Sequence, residues 1–235
     1  MVQNSARIAL LKEKQRYNLP LEISNLENLK LELGYPAQKI IGFIEMENVR
    51  IYLDLKVFIP RYETQELILK VKKVIKKGDF VLDLCCGSGF IGLALAKFID
   101  AKITLSDISN EAIIQTKLNA KHNNLQVNVI KSDLFENIPL QKFDIIISNP
   151  PYLAPQKLAD SVLNFEPENA LFAVPTPFFY YERIMQKAND FLKKNGWIFF
   201  EIDFQSVDFF QKNFPDFIIE NDINGKPRFA VWQKK

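Results

Sequence analysis

The sequence has 235 residues, of which 48% are hydrophobic and 25% are charged. This balance is typical of a folded globular protein and excludes a disordered or low-complexity chain. The formal net charge of +2 does not indicate a nucleic-acid partner. No segment approaches the ~20 apolar residues of a membrane helix, and the first residues lack the apolar core of a signal peptide, so we expect a soluble protein.

The two cysteines, Cys85 and Cys86, are adjacent and are the only ones in the sequence. They can form neither a disulfide framework nor a four-ligand metal site within this chain, so we expect no bound metal. This cysteine usage indicates a reducing, cytoplasmic setting. The single histidine, His122, falls near the end of a predicted helix, where a surface position is favoured over a catalytic one.

The first part of the sequence predicts an appendage to a larger domain. Residues 1–35 have the pattern of a short helical segment that is too small to hold its own core. Residues 36–60 predict a β-hairpin linker that turns near residues 47–48. Residues 61–235 would form the main domain, beginning with a helix over residues 61–78. The inward face of that helix would hold Leu67, Ile68, Val71 and Ile75. The apolar face of the first segment would hold Ile8, Leu10, Leu11, Leu26, Leu29 and Leu33.

From residue 80 onward, strand patterns alternate with helix patterns, which is typical of a βαβ series with a mostly parallel sheet. The predicted strands are Phe80–Leu84, Lys102–Ser106, Gln126–Ile130, Phe143–Ser148 and Gly196–Ile202. The predicted helices are Phe90–Phe98, Asn110–Asn123, Phe178–Lys194 and Gln205–Lys212, the third ending at a "KKNG" turn. The turn dipeptide Asn224-Gly225 then predicts an antiparallel edge pair, Phe217–Glu220 and Arg228–Gln233.

A glycine-rich turn follows the first of these strands, in "VLDLCCGSGFIGLALA". Gly87 and Gly89 would let the backbone approach a ligand, and the next helix would offer free N–H groups and a positive dipole. Read literally, "GSGFIG" matches the dinucleotide pattern, with Asp107 at the expected distance of ~20 residues. The acidic Asp83 before the turn, and the lack of a second nucleotide-binding half in the sequence, favour a mononucleoside ligand instead.

Acidic residues also end the next two predicted strands. Asp83 can accept from an amino-acid ammonium, directly or through water, and Asp107 can receive two ribose hydroxyls through its two oxygens. Asp133 and Leu134 can flank an adenine ring. An ammonium, a ribose diol and an adenine together describe S-adenosylmethionine. The alternative is that these aspartates only cap helices or close turns, and packing is favoured over reactivity for Cys85 and Cys86.

The predicted strand "FDIIIS" breaks into Asn149-Pro150-Pro151-Tyr152, because consecutive prolines cannot continue a strand ladder. In a doubly wound sheet this end of the strand faces the ligand. The Asn149 side-chain oxygen and the Pro150 carbonyl can accept both hydrogens of a planar –NH2 group, and Tyr152 can lie against that plane. The motif therefore predicts methylation of a planar amine and leaves adenine and glutamine equally open.

Several blocks of the sequence, in order, resemble the HemK/PrmC family of protein-glutamine methyltransferases that modify peptide-chain release factors. The resemblance runs from about Pro36 to Trp232. Two of its blocks, "IPR-x-ET" and "FEP", separate this family from adenine methyltransferases that share only "NPPY". The matching blocks are "PAQKIIGF", "FIPRYETQELI", "VLDLCCGSGFIGLALA", "SDISNEAI", "NAKHNN", "SDLFENI", "FDIIISNPPYL", "FEPENAL", "NGWIFFEI" and "INGKPRFAVW".

The resemblance implies an α/β class I methyltransferase, with a Rossmann-like seven-stranded sheet whose last strands are antiparallel. It implies methyl transfer from S-adenosylmethionine to the glutamine of a Gly-Gly-Gln motif in a release factor, which modulates translation termination and yields S-adenosylhomocysteine. Catalysis would use Asn149, Pro150 and Tyr152, and substrate binding would use the same three residues with Pro151. Arg61 and Glu63 would lie near the site. The cofactor would contact Cys85, Cys86, Gly87, Ser88, Gly89, Asp107, Ile108, Asp133, Leu134 and Asn149.

The sequence departs from the family pattern at a few positions. Cys85 stands where the family usually has a glycine, so we expect its backbone to avoid positive φ. Tyr62 replaces a usual proline, and the stretch "AVPTPFF" lacks glycines that are common there. The helical region before Pro36 is also shorter than the family's N-terminal domain, which helps to hold the release factor. We expect a monomer that does not bind nucleic acid directly.

Three other functions remain open at this point. A nucleic-acid adenine methyltransferase is the main alternative, although the sequence has no target-recognition domain and no basic stripe. A non-enzymatic module that only binds the cofactor is a second, and the intact "NPPY" argues against it. A nicotinamide enzyme that uses "GSGFIG" literally is the third.

Overall fold

The computed structural model describes residues 2–155 and 160–235. The helices are α1 Val2–Arg16, α2 Asn25–Glu32, α3 Ala37–Ile41, α4 Tyr62–Val71, α5 Phe90–Phe98, α6 Asn110–His122, α7 Asp160–Leu163, α8 Phe179–Phe191 and α9 Val207–Asn213. The strands are β1 Phe43–Met46, β2 Val49–Tyr52, β3 Phe80–Leu84, β4 Lys102–Asp107, β5 Asn128–Lys131, β6 Phe143–Ser148, β7 Leu192–Glu201, β8 Ile218–Asn221 and β9 Pro227–Gln233.

Seven of these strands form one sheet in the order β5-β4-β3-β6-β7-β9-β8. The neighbours from β5 to β7 are parallel, and β9 pairs antiparallel with both β7 and β8. The order changes direction between β3 and β6, and in doubly wound sheets ligands bind outside the strand ends near such a point. The sheet confirms the predicted fold class, including its antiparallel edge.

Alternate residues of the central strands pack on opposite faces of the sheet. Val81 and Ile145 lie in the core on one face, with α4 and α5, whereas Leu82 and Ile146 lie in the core on the other face, with α8. All four side chains are almost fully buried, and each such aliphatic side chain contributes about 1.5–3 kcal/mol to folding. This two-sided burial explains why β3 and β6 are apolar throughout and holds their carboxyl ends in place.

The boundary between α8 and β7 differs from the prediction. The "KKNG" segment does not end a helix: α8 stops at Phe191, and β7 begins at Leu192. Leu192 already pairs with Phe143 of β6, and the ladder resumes at Trp197 after an irregularity. Asn195, at φ +62°, takes the left-handed conformation that the sequence suggested for a glycine. The strand ladder therefore overrides the local helix-ending signal.

The first segment is helical as predicted, but most of its apolar face is not buried. Leu10 is fully buried against Ala37 and Ile40, so α1 does pack on α3. Leu11 is half-buried, and the other four apolar residues of this face are exposed; α2 has no buried residue. Those exposed residues, with their exposed fractions, are Ile8 47%, Leu26 61%, Leu29 51% and Leu33 61%.

The predicted hairpin is present as β1 and β2, although residues 37–41 form α3 instead of its first strand. Its turn lies at Glu47 and Asn48, both with positive φ, as a two-residue hairpin turn requires. The Asn123 side chain accepts from Arg50 N over 2.9 Å and donates to Arg50 O over 2.7 Å. Asn119 makes the same pair of bonds to Tyr52. The amides of Asn119 in α6 and of Asn123 just after it hold the hairpin against α6, so the loop after the hairpin is placed beside the sheet.

Candidate active site

A cavity opens at the carboxyl ends of β3, β4 and β6. The predicted cofactor residues on its wall are Cys85, Cys86, Gly87, Ser88, Asp107, Ile108, Asp133, Leu134 and Asn149. The predicted substrate residues on its wall are Asn149, Pro150, Pro151 and Tyr152. The structure therefore brings the glycine-rich turn and the "NPPY" motif together in one cavity.

The backbone of the glycine-rich turn corrects one prediction. Cys85 adopts φ +59°, although we expected a residue with a side chain to avoid positive φ there. The flanking hydrogen bonds force this geometry, since Cys86 N donates to Ser106 O over 3.0 Å and Gly89 N donates to Cys86 O over 2.8 Å. A left-handed non-glycine residue costs roughly 1–3 kcal/mol and persists where its surroundings determine it. Burial raises the pKa of the Cys85 thiol, which fits the packing interpretation.

Asp107 lies at the end of β4 and closes the turn from the other side. Its Oδ2 accepts from Gly87 N, and its Oδ1 accepts from Ser109 N, each over 2.9 Å. Burial raises the pKa of this carboxyl, while these backbone donors act in the opposite direction. Two backbone bonds orient the group but leave lone pairs on both oxygens, so it can still accept hydroxyl donors from a ligand.

Two predicted cofactor residues, Asp83 and Gly89, do not lie on the cavity wall. Asp83 is fully buried below the turn, where its Oδ2 accepts from Gly92 N over 2.9 Å and burial raises its pKa to about 8. Gly89 has φ +86° and lies so close to α6 that an added Cβ would come within 2.9 Å of the Thr116 side chain. Neither residue is placed in direct contact with the cavity. Both instead pack beneath the glycine-rich turn and support its backbone.

The end of the cavity next to β5 contains a residue that the sequence did not indicate. Leu134 and Asp133 lie on the wall as predicted, together with Tyr180 from α8. Both oxygens of Asp133 bind the Arg183 guanidinium, at 2.8 and 3.0 Å. This bidentate pair fixes the direction of the carboxylate. No local sequence pattern marks Tyr180 as a site residue, because only the packing of α8 on the sheet brings it to the cavity.

The "NPPY" motif follows directly after β6, and all four of its residues line the cavity. Asn149 Nδ2 points at Thr64 Oγ1 of α4, 3.5 Å away, and both side chains line the cavity. After the motif, Leu153 N donates to Leu171 O over 3.0 Å, and Ala173 N donates to Leu153 O over 2.9 Å. These bonds tie the chain after Tyr152 to the segment that follows "FEP". The motif is thus anchored at both ends.

Tyr152 is held by a buried glutamate, Glu201, at the end of β7. The Tyr152 hydroxyl donates to Glu201 Oε1 over 3.3 Å. Glu201 is 1% exposed, and burial raises its pKa to about 7. Burial also raises the pKa of Tyr152, so its hydroxyl stays protonated and acts as a donor. Glu201 lies within the block "NGWIFFEI", but no local pattern of the sequence indicates this contact.

Arg61 and Glu166 connect the two blocks that distinguish the family. Arg61 Nη2 lies 2.5 Å from Glu166 Oε1, and Ile59 N donates to Glu166 Oε2 over 3.0 Å. Glu166 is 2% exposed, whereas Arg61 lines the cavity and is partly open to solvent. The pair joins the "IPR" loop to the "FEP" loop at the cavity rim. Glu63 is not part of the wall, but it lies near enough to Glu201 to disfavour the charge of that carboxylate.

Two further properties of the described chain bear on its function. Within residues 2–155 and 160–235, no group of three or more His, Cys, Asp or Glu side chains is arranged to hold a metal ion. No helix in those same ranges has both the length and the apolar character that crossing a bilayer requires.

Comparisons with known proteins agree with this geometry. A family model described as "Methyltransferase small domain" matches residues 63–166, which include the turn, the "NPPY" motif and Glu166. A crystal structure of a methyltransferase from Pyrococcus furiosus has a TM-score of 0.62 at 16% identity, covering 100% of this chain and 99% of that chain. This structural likeness concerns the fold alone, which is that of class I methyltransferases.

Two relatives carry names that describe protein-glutamine methylation. A ribosomal protein uL3 glutamine methyltransferase from Francisella tularensis is 41% identical over 160 residues, covering 64% of this chain and 51% of that protein. A release factor glutamine methyltransferase from Streptococcus pneumoniae is 40% identical over 190 residues, covering 77% of this chain and 68% of that protein. The chain belongs to the release factor glutamine methyltransferase family.

Proposed function

We propose that this protein transfers a methyl group from S-adenosylmethionine to the side-chain amide nitrogen of the glutamine in the Gly-Gly-Gln motif of a peptide-chain release factor. The observation that carries the proposal is the single cavity shared by Asp107 and Asn149. One wall of this cavity suits a nucleoside and the other suits a planar amide. Membership of the family supports the choice of glutamine over adenine.

The residues on the first wall fit S-adenosylmethionine. The Asp107 carboxylate, oriented by two backbone donors, would accept the two ribose hydroxyls. Leu134 and Ile108, which both line the cavity, would supply apolar surface for an adenine ring, and Asp133 on the same wall would accept from its amine. The Gly87–Ser88 backbone would approach the amino-acid part closely because Gly87 has positive φ and no side chain.

The second wall fits a planar primary amide. Asn149 Oδ1 and the Pro150 carbonyl would accept the two N–H hydrogens, and the Tyr152 ring would restrict the amide to one orientation. The amide nitrogen then uses its electron pair to form a bond to the methyl carbon while the carbon–sulfur bond breaks. The nitrogen subsequently loses one proton to solvent, so the chemistry needs no strong base in the cavity.

The rim residues would act on the protein part of the substrate. The Arg61 guanidinium uses one nitrogen on Glu166 and has further N–H donors on its exposed side. These donors suit the backbone carbonyls next to the target glutamine. Glu63 gets no substrate role in this proposal, since it is not on the wall. A substrate of this class places the reaction in the cytoplasm, and we expect the protein to act as a monomer.

The test is methylation of defined substrates with isotope-labelled S-adenosylmethionine, followed by mass spectrometry of the products. The substrates are a full-length release factor, the same factor with its Gly-Gly-Gln glutamine replaced by alanine, ribosomal protein uL3, and DNA. We expect one methyl group on the glutamine of the intact factor and none on the alanine variant. Labelling of adenine or of uL3, with no labelling of the release factor, would refute the proposed substrate.

Binding of the cofactor can be tested separately by calorimetric titration with S-adenosylhomocysteine and with NAD. We expect binding of S-adenosylhomocysteine and none of NAD. Tight binding of NAD alone would overturn the assignment of the first wall. Binding of S-adenosylhomocysteine without methylation of any of these substrates would instead indicate a non-enzymatic binding module.

A further inference from the structure

A buried carboxylate lies behind the wall that Asn149 and Tyr152 form. Glu201 is 1% exposed, and its Oε1 accepts from the Tyr152 hydroxyl. Its Oε2 is buried and has no formed hydrogen bond to any residue that the structure describes. The Thr64 hydroxyl faces the same carboxylate and favours its charged form. A buried carboxyl group with too few hydrogen bonds destabilises the folded state, so a functional role would explain why Glu201 is found here.

The proposed chemistry requires that Asn149 present its oxygen, and not its –NH2, to the cavity. The two ends of an asparagine amide have nearly the same shape, and only the hydrogen-bond network decides between them. If the –NH2 faced the cavity, two donors would meet where the substrate amide binds. In this structure Asn149 Nδ2 points at Thr64 Oγ1, over 3.5 Å, and not at the space enclosed by the other lining residues that would receive the substrate amide.

Thr64 alone cannot fix this orientation, because a hydroxyl can donate as well as accept. Thr64 is 3% exposed and lies in the first turn of α4. When the Thr64 proton is directed to an ionised Glu201, only an oxygen lone pair remains for Asn149. The amide must then turn its Nδ2 to Thr64 and its Oδ1 to the cavity. The charge on Glu201 therefore sets the direction of the whole chain of hydrogen bonds.

We propose that Thr64 and Glu201 are positioning residues for the methyl-transfer step, in which ionised Glu201 takes the protons of Thr64 and Tyr152 and so fixes both Asn149 and Tyr152. Neither residue is a catalytic one, since each acts through its neighbour. The inference rests on the proposed function. A buried carboxylate suits this role because an ionised carboxylate only accepts hydrogen bonds, and this one lies within reach of both Thr64, which contacts Asn149, and Tyr152.

The groups that surround Glu201 make its charge sensitive to pH. Burial, and to a smaller extent Glu63 on α4, disfavour the charged form and raise the pKa of Glu201 to about 7, whereas Thr64, Arg228 on β9 and Tyr152 favour the charged form. Tyr152 donates to the carboxylate, and the Tyr181 hydroxyl of α8 donates to the Glu201 backbone carbonyl over 2.9 Å. Protonation of Glu201 would turn it into a donor and release the Thr64 proton for Asn149 Oδ1. Turnover should therefore fall as the pH drops below about 7.

The experiment compares kcat, KM for the release factor and the Kd of S-adenosylhomocysteine in a small set of variants. Thr64→Val keeps the shape of the side chain but removes the hydroxyl, so kcat should fall about 10–100-fold while KM and Kd change less than about 3-fold. Thr64→Ser restores the hydroxyl and should recover kcat to within about 3-fold of wild type. Thr104→Val, a buried threonine of β4 outside the cavity, is the matched control and should keep wild-type kcat.

Glu201→Gln tests the same inference without altering Thr64. Its kcat should be low at every pH, and the decline of activity below about pH 7 seen in wild type should disappear. Wild-type kcat in Thr64→Val, no rescue by Thr64→Ser, or an unchanged pH profile in Glu201→Gln would each overturn the inference. Wild-type protein that methylates no release factor would refute the proposed function instead, so the two failures are distinguishable.

Discussion

The two ends of the cavity are held in place by different kinds of contact. At the glycine-rich turn, Asp107 is fixed by backbone N–H groups of Gly87 and Ser109, which lie 20 and 2 positions away in the chain. At the "NPPY" end, Asn149 and Tyr152 meet side chains 85 and 49 positions away. Contacts to backbone N–H groups persist when the neighbouring side chains are substituted, whereas a contact between two side chains is lost when either residue changes. We therefore expect the glycine-rich turn to tolerate substitution of its neighbours better than the "NPPY" end does.

The largest expected effect of a single substitution is at the "NPPY" end. Asn149→Ala removes a preorganised acceptor for the substrate amide, and losing one such group costs roughly 10²–10³-fold in kcat. The measurement is the rate of glutamine methylation, with thermal unfolding to show that the fold persists. The control is Asn213→Ala at the exposed end of α9, which should keep wild-type kcat. A near-normal rate in Asn149→Ala would show that Asn149 is not an acceptor for the substrate amide.

A smaller effect is expected at the turn, and it should appear in binding. Asp107→Asn replaces one acceptor oxygen by a donor that would face a backbone N–H, so it removes at least one charged hydrogen bond to the ribose. Such bonds are worth about 1.5–3 kcal/mol. At about 1.4 kcal/mol for each factor of ten, the Kd of S-adenosylhomocysteine should rise roughly 10–100-fold. Calorimetric titration measures this directly, and an unchanged Kd would show that Asp107 does not hold the ribose.

The rim pair of Arg61 and Glu166 also depends on side chains that are distant in the chain. Glu166→Gln weakens the contacts of a nearly buried carboxylate to Arg61, so the free energy of unfolding should fall by about 1–3 kcal/mol. The matched control is Glu220→Gln, since Glu220 pairs with Lys70 at the same 2.5 Å but its side chain is 40% exposed. Exposed pairs contribute at most about 1 kcal/mol. Equal losses in urea unfolding of the two variants would contradict this difference.

The last prediction concerns Asp83 below the turn, and its effect depends on pH. Burial raises its pKa from 3.8 to about 8, so the folded chain binds this proton more tightly than the unfolded chain. Its contribution to the free energy of unfolding is therefore favourable at low pH and is lost as the pH rises from about 4 to about 8. In Asp83→Asn, Tm should decrease less between about pH 5 and pH 8 than in wild type. Parallel Tm profiles would show that the buried group does not titrate in this range.

Part of this site follows from local sequence alone. The strands β3 and β6 begin and end where the apolar pattern predicts them, and Asp107 and Asn149 follow from their positions at strand ends. Parallel strands bring their carboxyl ends to one edge of the sheet, so a pattern read along the chain also predicts which residues meet. The turn at Gly87 was predictable for the same reason, since strand, turn and helix are consecutive.

Other features were decided only by packing between distant segments. The sequence offered no way to know that Glu166 would reach Arg61, 105 positions away, or that Glu201 would lie behind Tyr152. It was wrong about the Cys85 backbone, where hydrogen bonds from neighbouring strands force positive φ. It also suggested a ligand contact for Asp83, and only the structure shows that this carboxyl is fully buried below the turn with its Oδ2 on Gly92 N.

The amino-acid sequence alone specifies the βαβ order from residue 80 onward, the position of the glycine-rich turn and the position of the "NPPY" motif at the end of β6. Periodicity and turn residues carry this information, because they act over a few neighbouring positions. The tertiary structure decided which atoms of those residues face the cavity and which remote side chains, such as Thr64 and Glu201, hold them there. That choice depends on the burial and charge of groups far apart in the chain, and no local pattern encodes it.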